Sequence, residues 1–333
     1  MARKRIWQTR HSLYAAAGAI AVVFLVALFT LPRIITALDA YQPAEPAIES
    51  FPVTVDPVHK QIVEDPEIDA KFFDNSTSTI ASREPGLVAR LAALLDTFPL
   101  YARLAAVDSR AVIIDPGFRK EQVAHAFGKA LGWTPAQEQQ FLDIAAASKP
   151  QLSEGEFQPG LYIVSSGTTP GEIQARIYEQ FDDDILSRYT PETAKVVPLD
   201  QALTIASMIE RETSDPDDMR MVSGIIWNRL FAGMRLQIDA TVQYAIADKS
   251  PTTWWPVVKP KDLTVKSPYN TYLHAGLPPA PIATPSVAAV LAALNPKETS
   301  CLFYFHDDDG GFHCSDTYEE HVALLKQYFG RGK

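Results

Sequence analysis

The reading of this chain turns on Leu199-Asp-Gln-Ala-Leu203-Thr-Ile-Ala206-Ser-Met-Ile209-Glu210-Arg-Glu212. Leu203, Ala206 and Ile209 recur at helical spacing, so the stretch predicts a helix with one apolar face. Its end carries two carboxylates at i and i+2, which point to nearly opposite sides and cannot share one task. Glu210 borders the apolar stripe, where partial burial raises a carboxyl's pKa toward what a general acid needs. Glu212 falls on the other side, within reach of Arg211 or Arg220. Taken alone, the stretch also reads as an ordinary amphipathic helix end with solvated charges.

Downstream, Asp215-Pro216 places an N-cap and an N1 proline at the start of the next helix, whose face is Val222, Ile225, Ile226 and Leu230 and whose end is Gly233. Asp239 is placed to cap a short helix carrying Val242 and Ala245. A proline-broken loop runs from about Ser250 to Pro285, followed by a helix from Ser286 to Leu294. Cys301–Phe305 and Gly311–Ser315 read as a β-hairpin around Asp307-Asp-Asp-Gly-Gly311, and a last helix runs from Thr317 to Phe329. The two cysteines flank that turn. A bridge between them and a pair of free buried thiols are both compatible with the spacing.

Upstream lies a βααβ pattern. Ala111–Ile114 is a strand, Glu121–Leu131 and Thr134-Pro135 through Ala147 are helices, Leu161–Val164 is a second strand, and Thr169-Pro170 opens a further helix to about Phe181. Small units of this kind bind glycan, as LysM modules do, or act as spacers. Pro85–Ala105 carries a helical leucine stripe. Asp39–Ser82, broken by Pro43, Pro46, Pro52 and Pro57, reads as a membrane-proximal stalk. At the N-terminus, Arg3, Lys4, Arg5 and Arg10 precede a charge-free apolar run from Leu13 to Leu31, long enough to cross a hydrocarbon core of roughly 30 Å as a helix. The basic flank stays in the cytoplasm, which puts everything past Pro32 outside it. A cleaved signal peptide would have a shorter apolar core and a small-x-small site.

The expected organisation is α+β. It comprises a basic tail at 1–12, a single transmembrane helix at 13–31, a stalk or helical region at 32–108, a LysM-like βααβ module at 109–185, and a mixed α/β catalytic domain with a short sheet at 186–333. A net charge of −10 argues against nucleic acid as a partner. His306, His313, Cys314 and His321 fit no standard zinc spacing, because adjacent strand residues face opposite ways. Asp307–Asp309 reads as a solvated turn.

Ile205–Thr213, Ile226-Trp-Asn228-Arg-Leu230, Gly233–Val242, Ser267-Pro-Tyr269-Asn270-Thr271-Tyr272 and Gly276-Leu-Pro-Pro279 to Ile282-Ala-Thr-Pro285, together and in order, resemble the endolytic murein transglycosylases of the YceG-like family. Glu154-Gly155 with Pro159–Gly167 resembles the segment before that family's catalytic domain. The chain departs from the family pattern at Ala240, usually proline, at Ala245 and Ser286, usually glycine, and at Val322, usually asparagine.

The resemblance implies a membrane-anchored enzyme of the cell inner membrane, with its catalytic domain in the periplasm. It would cut the β-1,4 bond between N-acetylmuramic acid and N-acetylglucosamine to leave a 1,6-anhydro end and so terminate nascent strands. It places the catalytic glutamate on Glu210 and needs no metal or organic cofactor. One glutamate suffices because the sugar's own C6 hydroxyl is the nucleophile, whereas ordinary glycosidases need a second carboxylate. Asn228, Gln237, Asp239, Tyr269, Asn270 and Tyr272 are the candidate substrate-binding residues. Asn228 and Gln237 could equally satisfy buried backbone, and Asp239 could be a helix cap. Trp254-Trp255 is a sugar platform or core. Partners are peptidoglycan strands, the membrane and cell-wall synthases. Two rival readings are a non-catalytic glycan-binding scaffold and a hydrolytic muramidase using Glu212 or Asp239 as its second carboxylate. A sensor or adhesion protein with a membrane stem would match the topology but none of the C-terminal motifs.

Overall fold

The computed structural model describes residues 49–73, 109–147, 151–247 and 253–330. The expected membrane span at 13–31 and the leucine stripe at 85–105 lie outside them. Among the described residues no helix is long and apolar enough to cross a membrane. They form two compact units. One contains residues 109–113 and 161–168, and the other contains the rest.

The larger unit is built around helix α6, Leu199–Glu212, in which Ala202 through Ile209 are all buried. Two small polar side chains inside it are satisfied locally, Thr204 Oγ1 donating to Asp200 O at 2.7 Å and Ser207 Oγ to Thr204 O at 2.8 Å. Against α6 lies α9, Val287–Leu294, apolar on every side and buried from Ala289 to Leu294. A helix hydrophobic all round belongs in a core, and its alanines let neighbours approach closely. Helix α7, Pro216–Phe231, closes the third side, its Trp227 indole donating to Ala293 O at 2.9 Å. The predicted Asp215 cap is present, the carboxylate accepting from the N–H groups of Asp217 and Asp218 at 3.0 and 3.1 Å. On α7, Gly224 allows a backbone to pass: a Cβ there would sit 2.3 Å from Lys297 O.

Asp239 departs from expectation. Helix α8 is Asp239–Ile246, so Asp239 is its first residue, and Ile238 occupies the cap position without a side-chain bond. The expected stalk or helical region has local structure where it is described. Within 32–108, residues 49–73 form a short hairpin of β1 (Val55–Asp56) and β2 (Gln61–Ile62), then helix α1 (Pro66–Phe72). Prolines that forbid a long helix do not forbid a hairpin. This segment is fixed to the large unit by Thr54 N to Leu294 O at 3.1 Å, Asn295 Nδ2 to Pro52 O at 2.9 Å, and an Arg220–Asp69 ion pair at 2.7 Å.

The βααβ order is present: β3 (Ser109–Ile114), α2 (Lys120–Leu131), α3 (Pro135–Ala147) and β4 (Gly160–Ser165), with β3 and β4 paired, followed by α4 (Pro170–Asp184) and the short α5 (Pro191–Val196). The C-terminal hairpin is β5 (Phe303–His306) against β6 (Phe312–Ser315), antiparallel, with Phe303 opposite Ser315 and Tyr304 opposite Cys314. Of the two cysteine readings the bridge is the one found, joining Cys301 to Cys314 at a Cα separation of 5.8 Å. Helix α10, Tyr318–Phe329, begins with a Thr317–Glu320 capping box.

Candidate active site

The C-terminal end of α6, the start of α8, the loop around Tyr272 and strand β5 enclose an open cavity of about 410 Å³. Its polar lining is Glu212, Arg229, Gln237, Asp239, Tyr272 and Tyr304. Its apolar and aromatic wall is Leu236, Phe303, Phe305, His306, Tyr318 and His321. Each element has a local reason to be there. Gln237 holds a left-handed backbone at φ 54°, uncommon for a non-glycine residue and typical of functional sites. It is over-determined by its neighbours. Gln237 N donates to Thr271 O at 3.2 Å, Ile238 N to Thr271 Oγ1 at 3.0 Å, and the hydroxyls of Thr241 and Thr271 are 2.9 Å apart. That staple delivers Tyr272 to Asp239, the phenol donating to Oδ1 at 2.7 Å.

The second hydroxyl–carboxylate pair involves Glu212. Tyr304 Oη donates to Glu212 Oε2 at 2.8 Å. Burial pushes the Glu212 carboxyl above its usual range, only partly offset by the Tyr304 hydrogen bond; the Asp239 charge adds to the rise, while His306 and Arg211 oppose it. By surface area Glu212 is partly buried, since one side faces the cavity. The phenols of Tyr304 and Tyr272 are raised by burial and stay protonated, so both act as donors. Arg229 supplies a buried cation, held by Nε to Leu302 O at 2.6 Å and Nη1 to Leu236 O at 2.5 Å. A carboxyl whose protonated form burial favours, beside an open cavity lined by aromatic side chains, is suited to act as a general acid.

Glu210 is placed differently. Its Oε2 accepts from Ser286 N at 2.9 Å and from Ser286 Oγ at 2.6 Å, one helical turn beyond Ser207, whose Oγ accepts from Ile282 N at 3.0 Å. The two side chains moor the 282–286 loop to α6 and fix the start of α9, and Glu210 does not line the cavity. Arg220 is not available to Glu212, being paired with Asp69. Of the other candidates, the cavity gathers Gln237, Asp239 and Tyr272. Asn228 is outside, its Nδ2 donating to Thr299 O and Cys301 O at 2.7 and 3.2 Å. Asn270 is fully buried, donating to Leu263 O and Val265 O at 3.0 and 2.9 Å and accepting from Tyr272 N at 2.9 Å. Both asparagines shape backbone and do not face a ligand space.

Tyr269 belongs to a second cluster, its ring 4.8 Å from that of Tyr244. There the Tyr244 hydroxyl donates to Glu154 Oε2 at 3.1 Å, Lys120 N donates to Glu154 Oε1 at 2.8 Å, and the Arg119 guanidinium covers the Tyr244 ring at 4.2 Å. Burial, then the Glu121 charge, push Glu154 up to about 7. Trp255 is part of this packing, with Arg211 4.0 Å from its ring and its indole donating to Gln122 at 3.0 Å. Gly155, at φ +92°, lets the segment press on the 281–283 loop, where a Cβ would meet Pro281 at 2.7 Å.

The YceG-like family model matches residues 90–327, most of the chain. The chain belongs to the YceG-like family. It is 31% identical over 176 residues to an endolytic murein transglycosylase of Bacillus subtilis, covering 53% of this chain and 48% of that protein. It is 24% identical over 241 residues to an endolytic murein transglycosylase of Streptococcus pneumoniae, covering 65% and 44%. The chain thus spans less than half the length of these curated relatives. A crystal structure of a yceG-like protein from Listeria monocytogenes superposes with a TM-score of 0.58 at 25% identity, over 68% of this chain and 79% of that one. In this YceG-like chain the sequence named Glu212 only as an ion-pair member or as the second carboxylate of a muramidase, and it did not single out Tyr304, the partner of Glu212 in the cavity. The available signal was Phe303-Tyr-Phe-His306, an aromatic strand beginning two residues after Cys301.

Proposed function

We propose that this chain is an endolytic lytic transglycosylase that cuts the β-1,4 bond between N-acetylmuramic acid and N-acetylglucosamine in peptidoglycan, with Glu212 as the acid. The observation that carries the reading is the Glu212 carboxyl, desolvated, raised in pKa and facing a cavity with aromatic walls. The names of the relatives support the substrate. The role is assigned to Glu212 over Glu210 because Glu210 is engaged in mooring the Ser286 helix start. In the first step Glu212 gives its proton to the glycosidic oxygen as the C1–O bond breaks. In the second, the resulting carboxylate takes the proton of the C6 hydroxyl as that oxygen closes on C1. The electron pair leaves with the N-acetylglucosamine O4, and no water is consumed.

Gln237, Asp239 and Tyr272 are assigned to the sugar's polar groups, and Phe303 and Tyr318 to its apolar face. The apolar run Leu13–Leu31 behind its basic flank supports a single anchor in the inner membrane, with the enzyme outside the cytoplasm. The βααβ order supports a LysM-like glycan-holding role, and cell-wall synthases are the fitting partners for an enzyme that ends nascent strands. A hydrolytic muramidase is the second reading, favoured by the presence of Asp239 as another carboxylate in the same cavity.

The deciding experiment digests purified peptidoglycan with the wild type, Glu212→Gln and Glu210→Gln and weighs the products by mass spectrometry. The expected result is anhydro ends from the wild type and from Glu210→Gln, and a loss of about a thousandfold in Glu212→Gln. Reducing ends would instead establish the hydrolase. Activity in Glu212→Gln but not in Glu210→Gln would return the acid to Glu210. No cleavage by the wild type would favour the scaffold.

A further inference from the structure

We infer that Tyr304 is a positioning residue that decides which oxygen of Glu212 carries the transferable proton, and that the Cys301–Cys314 bridge holds the strand that presents it. The inference rests on the reading of Glu212 as the acid.

The geometry is specific. Tyr304 projects from the middle of β5 with its ring stacked on Phe312, centroids 5.7 Å apart and planes within 15°. Its hydroxyl reaches Glu212 Oε2 at 2.8 Å. Burial and the neighbouring Glu212 charge keep the phenol protonated, so in this pair it donates. An oxygen that accepts from Tyr304 is the carbonyl oxygen of the protonated acid, which leaves the acidic proton on Oε1. A carboxyl with one oxygen fixed transfers its proton from a defined atom along a defined direction, which is what a proton transfer concerted with bond cleavage requires.

The groups facing the pair come from every adjoining element: Arg211 on α6, Arg229 on α7, Asp239 on α8, Tyr272 on its loop and His306 on β5. The hydrogen bond to Glu212 comes from Tyr304 itself. The strand is itself restrained. Cys314 stands opposite Tyr304 in the ladder and is tied to Cys301, two residues before β5 begins. The covalent link therefore closes the hairpin around the residue that touches the acid.

The sign of the effect follows. A donor to the carboxylate favours its ionised form, so Tyr304 holds Glu212 lower than burial alone would. Removing the hydroxyl raises the acid's pKa and frees its proton to sit on either oxygen. In the full chain acting on purified peptidoglycan, Tyr304→Phe is expected to lower kcat roughly tenfold and to move the basic limb of the pH–kcat profile up by about one pH unit. Carbon-13 NMR of the glutamate carboxyls reads the same upward shift directly, with no need for turnover. Should Tyr304→Phe fail to fold, reducing the wild-type bridge with a dithiol supplies the second arm: a limb displaced upward and reversed on reoxidation is expected. A basic limb and a Glu212 titration unmoved in Tyr304→Phe, or unmoved on reduction, overturn the inference. A variant that only loosened packing would lower kcat without displacing the limb. Cleavage retained by Glu212→Gln would break the reading of the site itself. An inactive Glu212→Gln beside an unshifted Tyr304→Phe breaks this inference alone.

Discussion

Glu212 and Glu154 form a natural pair for comparison. Both carboxyls are desolvated, both are raised in pKa, both accept from a tyrosine hydroxyl, and both have a second carboxylate nearby, Asp239 for one and Glu121 for the other. They differ in what lies on the remaining side. Glu212 opens on a 410 Å³ cavity with aromatic walls. Glu154 is enclosed, its other oxygen occupied by the Lys120 N–H at the start of α2, with Arg119 and Trp255 packed around it. A raised pKa therefore marks burial, and space for a ligand is what turns burial into a site. The comparison can be broken or sharpened in order of expected effect.

The largest effect should separate the two glutamates by activity. At pH 7, Glu212→Gln loses about three orders of magnitude in glycan cleavage, and Glu154→Gln stays within about threefold of wild type. Equal losses in anhydro-product release would erase the distinction.

Next is stability against pH. Glu154 is protonated more readily when folded, at about 7, than the ordinary 4.5. The folded state therefore holds the extra proton across that window. Its contribution is complete below 4.5 and is lost as pH rises through about 7, up to about 3 kcal/mol in all. Denaturant midpoints should fall between pH 5 and 8 in the wild type and fall much less in Glu154→Gln. A wild-type curve flat over that range would refute the assignment.

Smaller, and structural, is Asn270→Ala. It strips partners from two half-buried carbonyls and from the Tyr272 N–H, and should cost about 2 kcal/mol by chemical denaturation. It should also reduce activity, because Tyr272 loses its support. The smallest effect belongs to Ser286→Gly, which removes one hydroxyl from Glu210 and leaves the backbone N–H bond in place. A few tenths of a kcal/mol and nearly unchanged turnover are expected.

Much of the fold was legible from local chemistry. Asp215-Pro216 and Thr169-Pro170 announced helix starts that the structure places there, and the turn at Asp307–Gly311 announced its hairpin. Helical spacing placed α6 from Leu199 to Glu212. Periodicity could not say what would meet the end of that helix. Glu210 looked like the half-buried acid because it borders the apolar stripe. The partner on that border, Ser286, is 76 residues away, and Tyr304, opposite Glu212, is 92 away. Such contacts follow from tertiary packing, which spacing along one helix does not encode. Of the two readings of Asn228, the backbone-satisfying one is found, and the same limit explains Asn270 and Tyr269. Their polar and aromatic character suggested a ligand, and their bonds go to backbone carbonyls and a neighbouring ring. Of the two readings of Asp239, ligand contact and helix cap, the structure places it on the cavity and gives the cap position to Ile238.

The anchoring of residues 49–73 within the larger unit sets a reach. Because Arg188 donates to Glu49 O, Thr54 is fastened to Leu294 and Asp69 to Arg220, the chain is anchored to this unit by residue 49 at the latest. With Leu13–Leu31 in the bilayer, as we propose, at most residues 32–48 separate lipid from that anchored segment. However those 17 residues are arranged, they span at most about 60 Å. The enzyme would thus work on a short leash, confined to glycan in the layer next to the membrane where new strands emerge and kept from mature wall farther out.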